Sequence, residues 1–184
     1  MPSDAGNAQE KTARRHGRTL LVVGIIVGVY ALDQLTKAWV VAEFSDAPLS
    51  IIGDSVEFRL ARNTGGAFSL FQEFTPILAI LATIVAVVLI RALQRTRDPV
   101  MLVALALVLA GALGNLTDRM FRSPGFLHGA VVDFVRVGQF PSFNVADSAI
   151  TIGAVLLVIW GWRYQPDDDQ AEDDQAEADR SEGD

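Results

Sequence analysis

The 184-residue chain contains no cysteine and only two histidines, His16 and His128. The lack of cysteine excludes disulfide bonds and thiol-based catalysis, and two histidines so far apart do not fit a zinc site with several histidine ligands. Three familiar signatures are also missing: HExxH, GxSxG and a glycine-rich phosphate loop. The function therefore has to be inferred from the apolar runs and the carboxylates.

Apolar residues make up 51% of the chain, and the mean hydropathy is +0.32. They are concentrated in runs long enough to cross a bilayer. A basic cluster precedes the first run, as in a signal peptide, but the run is too long for one and no small-x-small cleavage site follows it. We predict an all-α integral membrane protein with four transmembrane helices, over residues 20–41, 76–90, 100–116 and 146–162.

Acidic residues are concentrated at the C-terminal end. The formal net charge is −7, but residues 165–184 hold ten of the 22 acids and one of the 15 bases. Such a run without apolar periodicity is typical of a solvated, disordered tail. We therefore expect three segments: an N-terminal extension over 1–18, a four-helix transmembrane domain over 19–164 and an acidic disordered tail over 165–184.

The distribution of basic residues predicts the orientation in the membrane. Residues 1–18, the loop 91–99 and the C-terminal segment hold nine bases, whereas the loops 42–75 and 117–145 hold five over more residues. Because positively charged segments remain in the cytoplasm, both termini are expected to be cytoplasmic and the two less basic loops to lie at the outer face. β-Branched residues over 50–60 predict short strands in the first of these loops.

Two ionisable residues interrupt the first apolar run. Asp33 and Lys37 are spaced i, i+4 with the acid first, the order that favours an ion pair. Either they neutralise each other and extend towards the interface, or they belong to a functional site, since charged groups inside a membrane are costly. The residues alone leave both readings open.

Polar residues also share one face of the third helix. Gly111, Asn115 and Asp118 follow one another at i, i+4 and i+7, and Arg119 follows Asn115 by four residues. Gly111 permits close helix packing, and Asn115 can hydrogen-bond to another helix. We expect Asp118 and Arg119, at the helix end, to form a structural charge pair rather than to act as catalysts.

Asp133 and Asp147 are the carboxylates that best fit a chemical role. Asp133 lies in a short β-branched run among apolar residues, where desolvation would raise its pKa. Asn144 is a good N-cap for the fourth helix, so Asp147 falls at position N3, near the positive helix end that favours the ionised form. Asp147 could also be no more than a helix-capping carboxylate.

One carboxyl group pushed towards protonation and one towards ionisation is the arrangement that an aspartic peptidase needs. The ionised group takes a proton from the attacking water, and the protonated group donates one to the scissile carbonyl oxygen. The spacing does not establish that the two groups approach each other. A Ser/Lys dyad is a poorer alternative, because Lys37, the lysine it would need, already has Asp33 as its neighbour.

Five segments carry a resemblance to one membrane peptidase family: DQLTK (33–37), RNTGGAFS (62–69), GALGNLTDR (111–119), VVDF (131–134) and FNVADSAI (143–150). In this order they closely resemble lipoprotein signal peptidase, also called signal peptidase II, over about residues 20–162. Gly66 departs from the family, which often has Ala at that position. The resemblance implies that the four-helix domain is an aspartic endopeptidase, and that the outer loop around 50–72 forms a small extracytoplasmic β-rich cradle over the substrate.

The resemblance also implies a substrate and a site. The family removes signal peptides from prolipoproteins whose cysteine carries diacylglycerol, cutting just before that cysteine at the outer face of the bacterial cytoplasmic membrane. It assigns catalysis to Asp133 and Asp147. Nine further residues would bind substrate or shape the site: Asp33, Lys37, Asn63, Gly66, Gly111, Asn115, Arg119, Asn144 and Ala146. Expected partners are lipid-modified prolipoproteins, membrane lipids and globomycin-type inhibitors; no nucleic acid, cofactor or metal is expected, and the protein is expected to be a monomer.

Two other classes of function stay open at this point. Intramembrane Asp, Asn and Arg can line an ion or proton path, although transporters usually contain internal repeats and none is visible in this sequence. A purely structural membrane protein could use both carboxylates as helix caps. It would tolerate Asp133→Asn and Asp147→Asn.

Overall fold

The computed structural model describes residues 4–163 apart from 46, 54 and 66–74, with side chains described from residue 15 onwards. The segment 165–184, predicted to be a disordered tail, lies outside the described residues. Within them are four long helices, α1 (Asp4–Glu43), α2 (Thr75–Arg95), α3 (Pro99–Phe121) and α4 (Val145–Arg163). Each contains a stretch long and apolar enough to cross a membrane, so the prediction of four spans is confirmed.

Two helices are longer than their apolar runs. α1 begins at Asp4, although only the part from Arg15 onwards has the composition of a membrane span. α3 continues to Phe121, five residues past its predicted end, and so includes Asp118 and Arg119. Apolarity indicates where a helix meets lipid, whereas backbone hydrogen bonding continues through any residues that tolerate helical dihedral angles.

α3 is the central helix of the bundle. Half of its most apolar window is buried, against 6 to 17% in the other three helices. Small residues such as Ala104, Ala106 and Gly111 line its contacts and allow α1, α2 and α4 to pack closely against it. Among the described residues, α1 and α2 both pack on α3, whereas no Cα atom of α1 lies within 8 Å of one of α2.

A three-stranded antiparallel sheet lies at one end of the bundle, where α1 and α3 end and α2 and α4 begin. Its strands are β1 (Leu49–Ile52), β2 (Val56–Asn63) and β3 (Val131–Val137), in that order. The predicted cradle is therefore present, and the β-branched run 131–137 adds its third strand. A bulge in β2 between Phe58 and Ala61 separates the two parts of the β2–β3 ladder.

Aromatic side chains join this sheet to α1. The rings of Trp39 and Phe58 meet edge to face at 6.0 Å between centroids, and Phe58 meets Phe134 of β3 at 6.1 Å. Such pairs prefer edge-to-face contact because ring edges are positive and ring faces negative. The contacts hold β3 against the helix bundle and so determine the position of Asp133, next to Phe134.

Candidate active site

Asp133 is the buried carboxyl group of the site. It pairs across the sheet with Ala61, and its side chain is 3% exposed because residues 131–134 are covered on both faces of β3. Its Oδ2 accepts a hydrogen bond from Asn63 Nδ2 at 3.0 Å, and its Oδ1 accepts one from Asn144 Nδ2 at 2.7 Å. Burial raises the pKa of Asp133 to about 6, and the charge of Asp147 adds to the rise.

Opposing influences keep the pKa of Asp133 from rising further. The hydrogen bonds from Asn63 and Asn144, together with the positive charge of Lys37, all lower it. Each favours the ionised form, because an N–H donor or a cation interacts more strongly with a carboxylate than with a carboxylic acid. The direction of the shift is the one that the apolar sequence around Asp133 predicts.

Asp147 occupies the first turn of α4 and is half-buried. Its backbone N–H donates to Asn144 Oδ1 at 2.9 Å, and its Oδ2 accepts from the backbone N–H of Asn144 at 3.2 Å. The two residues thus satisfy each other's backbone donors as a capping box, which confirms the predicted N-cap and N3 positions. The second oxygen, Oδ1, is not used by the cap and accepts from Asn115 Nδ2 at 2.8 Å.

Two asparagines connect the aspartate pair (Asp133 and Asp147). Asn144 Nδ2 donates to Asp133 Oδ1 and lies 3.2 Å from Asn115 Oδ1, while Asn115 Nδ2 donates to Asp147. Hydrogen bonds therefore run without interruption from one carboxyl group to the other. The structure brings together two aspartates that are fourteen residues apart and lie on different elements.

The orientation of each asparagine follows from its other partners. Asn115 Oδ1 accepts from Lys37 Nζ at 3.0 Å, and because an ammonium group only donates, the amide oxygen must face it and the NH₂ group must face Asp147. Asn144 Oδ1 accepts from the helix N-terminus, which turns its NH₂ group towards Asp133. Both asparagines thus present donors to the aspartate pair.

A second group of charges lies beside the pair, and we call Asp33, Lys37, Asp118 and Arg122 the ion cluster. Lys37 Nζ lies 2.8 Å from Asp33 Oδ2 and 2.9 Å from Asp118 Oδ2, and all three side chains are fully buried. The reading in which Asp33 and Lys37 extend towards the interface is therefore wrong. Both point inward because α3 supplies a second carboxylate and an amide oxygen for the ammonium group.

The ion cluster holds both the strand and the helix that bear the aspartate pair. Asp118 Oδ2 accepts from the backbone N–H of Val132 at 3.1 Å, next to Asp133. Asp33 Oδ1 accepts from the backbone N–H of Ala146 at 2.9 Å, next to Asp147. Each aspartate of the pair is thus held through its preceding residue by a carboxylate of the cluster.

The expected pair between Asp118 and Arg119 does not form. Arg122 Nε instead donates to Asp118 Oδ1 at 2.5 Å, and Arg119 Nη1 lies 3.4 Å from the carbonyl oxygen of its own-helix neighbour Asn115. Consecutive residues of a helix point in different directions, whereas residues four apart are neighbours. Arg119 Nε is buried without a hydrogen-bond partner among the described residues.

The charges of the whole site balance if the aspartate pair holds one proton. Three cations face four carboxyl groups: Lys37, Arg119 and Arg122 against Asp33, Asp118, Asp133 and Asp147. A buried net charge is costly, so a neutral site with one carboxyl group protonated is the favoured state. Burial raises the pKa of Asp133 to about 6, so Asp133 binds a proton below about that pH.

Small residues let α4 approach α3 at the site. A Cβ atom on Gly111 would collide with the carbonyl oxygen of Ala146 and lie 2.7 Å from Ile150 Cγ1. A Cβ atom on Gly114 would collide with the Asp33 carboxylate. Ala146 itself is fully buried. A larger side chain at Gly111 would displace the first turn of α4, and Asp147 with it, whereas one at Gly114 would displace the Asp33 carboxylate.

Two residues that the structure places at the site, Gln34 and Arg122, were not predicted there. Gln34 Nε2 donates to Asp33 Oδ2 at 3.0 Å and to the Gly114 carbonyl at 3.1 Å, and Arg122 completes the ion cluster. Arg122 follows Asp118 by four residues, the same spacing that indicated Asp33 and Lys37, so the signal was present in the sequence. Gly66 lies outside the described residues. Within the described ranges, no group of three or more His, Cys, Asp or Glu side chains could hold a metal ion.

Comparison with known proteins identifies the family. The model of the family named Signal peptidase (SPase) II matches residues 25–163. The chain belongs to the signal peptidase II family. The lipoprotein signal peptidases of Streptomyces griseus and Rhodococcus jostii are 43% and 46% identical over 162 and 159 residues, or 88% and 86% of this chain and 83% and 79% of those proteins. That of Mycobacterium tuberculosis is 44% identical over 158 residues, 85% of this chain and 78% of that protein.

Solved structures support the same assignment at the level of fold. Two structures of bacterial membrane enzymes are 30% identical to this chain, with TM-scores of 0.68 and 0.69. They cover 78% and 79% of this chain and 88% and 94% of their own. The four-helix arrangement with a small sheet at one end is thus shared with membrane enzymes of known structure.

Proposed function

We propose that this signal peptidase II family member is an aspartic endopeptidase that removes signal peptides from diacylglyceryl-modified prolipoproteins, cutting just before the lipidated cysteine. The observation that carries the proposal is the hydrogen-bonded chain from Asp133 through Asn144 and Asn115 to Asp147. It links a carboxyl group of raised pKa to a half-buried carboxylate at a helix N-terminus. An acid and a base next to each other are the groups that water-mediated peptide hydrolysis requires.

In the first step, water attacks the scissile carbonyl carbon. Asp147 accepts a proton from that water, and Asp133 donates its proton to the carbonyl oxygen, which gives a neutral gem-diol intermediate. When the intermediate collapses, the C–N bond breaks, the proton held by Asp147 passes to the leaving nitrogen and Asp133 recovers a proton from the diol. The pair thus ends the cycle with one proton, as it began.

The surrounding residues have positioning roles in this proposal. Asn115 and Asn144 hold the two carboxyl groups close in space. Asn63 supports Asp133 from β2. The guanidinium group of Arg119, which interacts with the charges of both aspartates, is proposed to donate to a substrate carbonyl. The positions of β3 and α4 relative to each other are maintained by four further residues: Asp33, Lys37, Gly111 and Ala146. The family resemblance alone supports a role for Gly66 in binding substrate or shaping the site.

The expected substrate agrees with the position of the pair. The aspartates lie at the end of the bundle that bears the sheet, so a signal peptide crossing the membrane beside the helices would bring its lipidated end to them. With both termini cytoplasmic, as the basic residues indicate, this end faces the outer side of the cytoplasmic membrane. We further propose a cytoplasmic extension over 1–18, a peptidase domain over 19–164, a cytoplasmic acidic tail over 165–184, a monomeric state and inhibition by globomycin.

The direct test is cleavage of a diacylglyceryl-modified prolipoprotein by the purified full chain in detergent. Asp133→Asn and Asp147→Asn should each lower kcat by roughly 10²- to 10⁴-fold, the contribution of general acid–base catalysis. Asp98→Asn is the matched control, because Asp98 caps the far end of α3 and Asn caps a helix equally well. If either site variant is folded and cuts at the wild-type rate, the aspartic mechanism is wrong.

A further inference from the structure

A groove opens at the end of the bundle opposite the aspartate pair. α1 and α2 each pack on α3, but in the described part of the chain no Cα atom of α1 lies within 8 Å of one of α2, and a space remains between the two helices. The resulting cavity is about 1020 Å³, at the upper end of the range for small-molecule sites. α3 forms its floor through Leu102 and Leu109, which are buried.

The mouth of the groove is positively charged. Arg15 and Arg18 of α1 and Arg97, just before α3, line it. Among the described residues no carboxylate lies within 4.0 Å of these three guanidinium groups, and neighbouring Asp98 uses its carboxylate to cap α3. Three guanidinium groups without a described counter-ion form a site for an anion such as a phosphodiester.

The interior of the groove is apolar and about one leaflet deep. Ile26 lies eleven residues after Arg15, roughly 16 Å along α1 at 1.5 Å per residue, and Leu109 lies at a similar depth along α3. Half of a hydrocarbon core of about 30 Å is roughly 15 Å. The groove therefore extends from the charged surface to about the middle of the membrane.

We propose that this groove binds one anionic phospholipid of the leaflet on the side where α1 begins and α4 ends. The phosphate lies among Arg15, Arg18 and Arg97, and an acyl chain extends between α1 and α2 towards Ile26. A basic pocket between transmembrane helices is a known type of site for anionic headgroups. The proposal concerns the end of the bundle away from the aspartate pair and does not depend on the proposed chemistry.

The acidic segment 165–184 is the competing occupant, because it follows α4 at the same end of the bundle. Its carboxylates could pair with the three arginines. It contains no Val, Leu, Ile, Met, Phe or Trp, however, so it has no side chain to fill the apolar interior. A phospholipid matches both the charged mouth and the apolar depth, and the segment matches only the first.

The test is native mass spectrometry of the purified full chain titrated with phosphatidylglycerol or phosphatidylcholine. We expect one phosphatidylglycerol to bind more tightly than phosphatidylcholine. The variant R15Q/R18Q/R97Q should weaken phosphatidylglycerol binding by roughly 10- to 100-fold. R91Q/R95Q/R163Q removes the same charge from exposed arginines at the same end, outside the groove, and should change binding less than about threefold.

A second pair of variants tests the apolar part separately. Ile26→Trp fills the inner end of the groove and should weaken binding, whereas Val27→Trp, at a 58% exposed position outside it, should not. Equal binding of the two lipids, equal effects of the two arginine triples, or normal binding by Ile26→Trp would each overturn the proposal. So would at least tenfold tighter lipid binding when the ten acids of 165–184 are changed to their amides, since that segment would then be the occupant.

Discussion

The ion cluster and the aspartate pair are neighbours built from the same residue types, yet they differ in how completely their charges are compensated. In the cluster, Lys37 contacts two carboxylates directly, and Asp118 contacts two cations. In the pair, neither carboxyl group has a cation within ion-pair distance among the described residues; amide and backbone groups are their partners. Carboxylates that are fully paired with cations stay ionised and support the structure. A carboxyl group without a paired cation can gain or lose a proton more readily.

Asn115 is the residue that joins the two regions. It accepts from the ammonium group of the ion cluster and donates to Asp147 of the pair. The ion cluster therefore determines the orientation of the Asn115 amide. Because the Lys37 ammonium group can only donate, the amide oxygen faces Lys37 and the NH₂ group faces Asp147. Three predictions separate the two regions, beginning with the largest effect.

Breaking the ion cluster should cost the most stability. Lys37→Met leaves Asp33 buried without a cation, and removing one partner of a buried ion pair typically costs about 3–5 kcal/mol. Asp33→Asn/Lys37→Met keeps a side-chain acceptor for the Ala146 N–H and leaves Asp118 paired with Arg122. We expect the double variant to recover much of the melting temperature lost in the single one. A double variant no more stable than Lys37→Met would show that uncompensated charge is not the cause.

The aspartate pair should instead give a pH-dependent effect. The pKa of Asp133 rises on folding from 3.8 to about 6, so the folded state binds the proton more tightly. The wild type should therefore lose stability relative to Asp133→Asn as the pH rises from about 4 to about 6, by about 3 kcal/mol in all, and the difference should be constant above about pH 7.

Thermal melting of both proteins in detergent between pH 4 and 8 measures this difference. Asp98→Asn is the control, because it removes a carboxylate far from the aspartate pair and shows how such a loss changes the melting temperature elsewhere in the bundle. A wild type that gains stability relative to Asp133→Asn over this range would contradict the assignment of the proton to Asp133.

Disturbing the close contact between Gly111 of α3 and Ala146 of α4 should have the smallest effect on stability. Gly111→Ala forces a Cβ atom against the Ala146 carbonyl, an overpacking that typically costs about 1–3 kcal/mol. Because the first turn of α4 must move, cleavage should also slow. Gly28→Ala on α1 is the matched control, since nothing lies within 4 Å of its added Cβ atom, and Ala is about 1 kcal/mol better than Gly in a helix. Equal melting temperatures for the two variants would show that α4 can shift without cost.

The sequence by itself determined the elements of this fold. Uninterrupted apolar runs predict the four helices, because only a helix satisfies its own backbone in lipid, and the β-branched residues of 50–60 predict two of the three strands. The capping box of Asn144 and Asp147 was also predictable, because a helix N-terminus lacks backbone acceptors and the needed side chains lie three residues apart. The raised pKa of Asp133 followed in direction from its apolar neighbours.

Tertiary structure alone decided which of these elements meet. Neither local propensity nor periodicity shows that Asp133 on β3 reaches Asn144 and Asn115, or that Lys37 contacts Asp118 across two helices, because those contacts depend on how the small residues of α3 let α1 and α4 approach. The same packing leaves α1 and α2 apart and so creates the basic groove. Charged residues that are distant in the chain come together in the bundle because lipid offers them no polar partner. Each is stabilised only by another buried polar group.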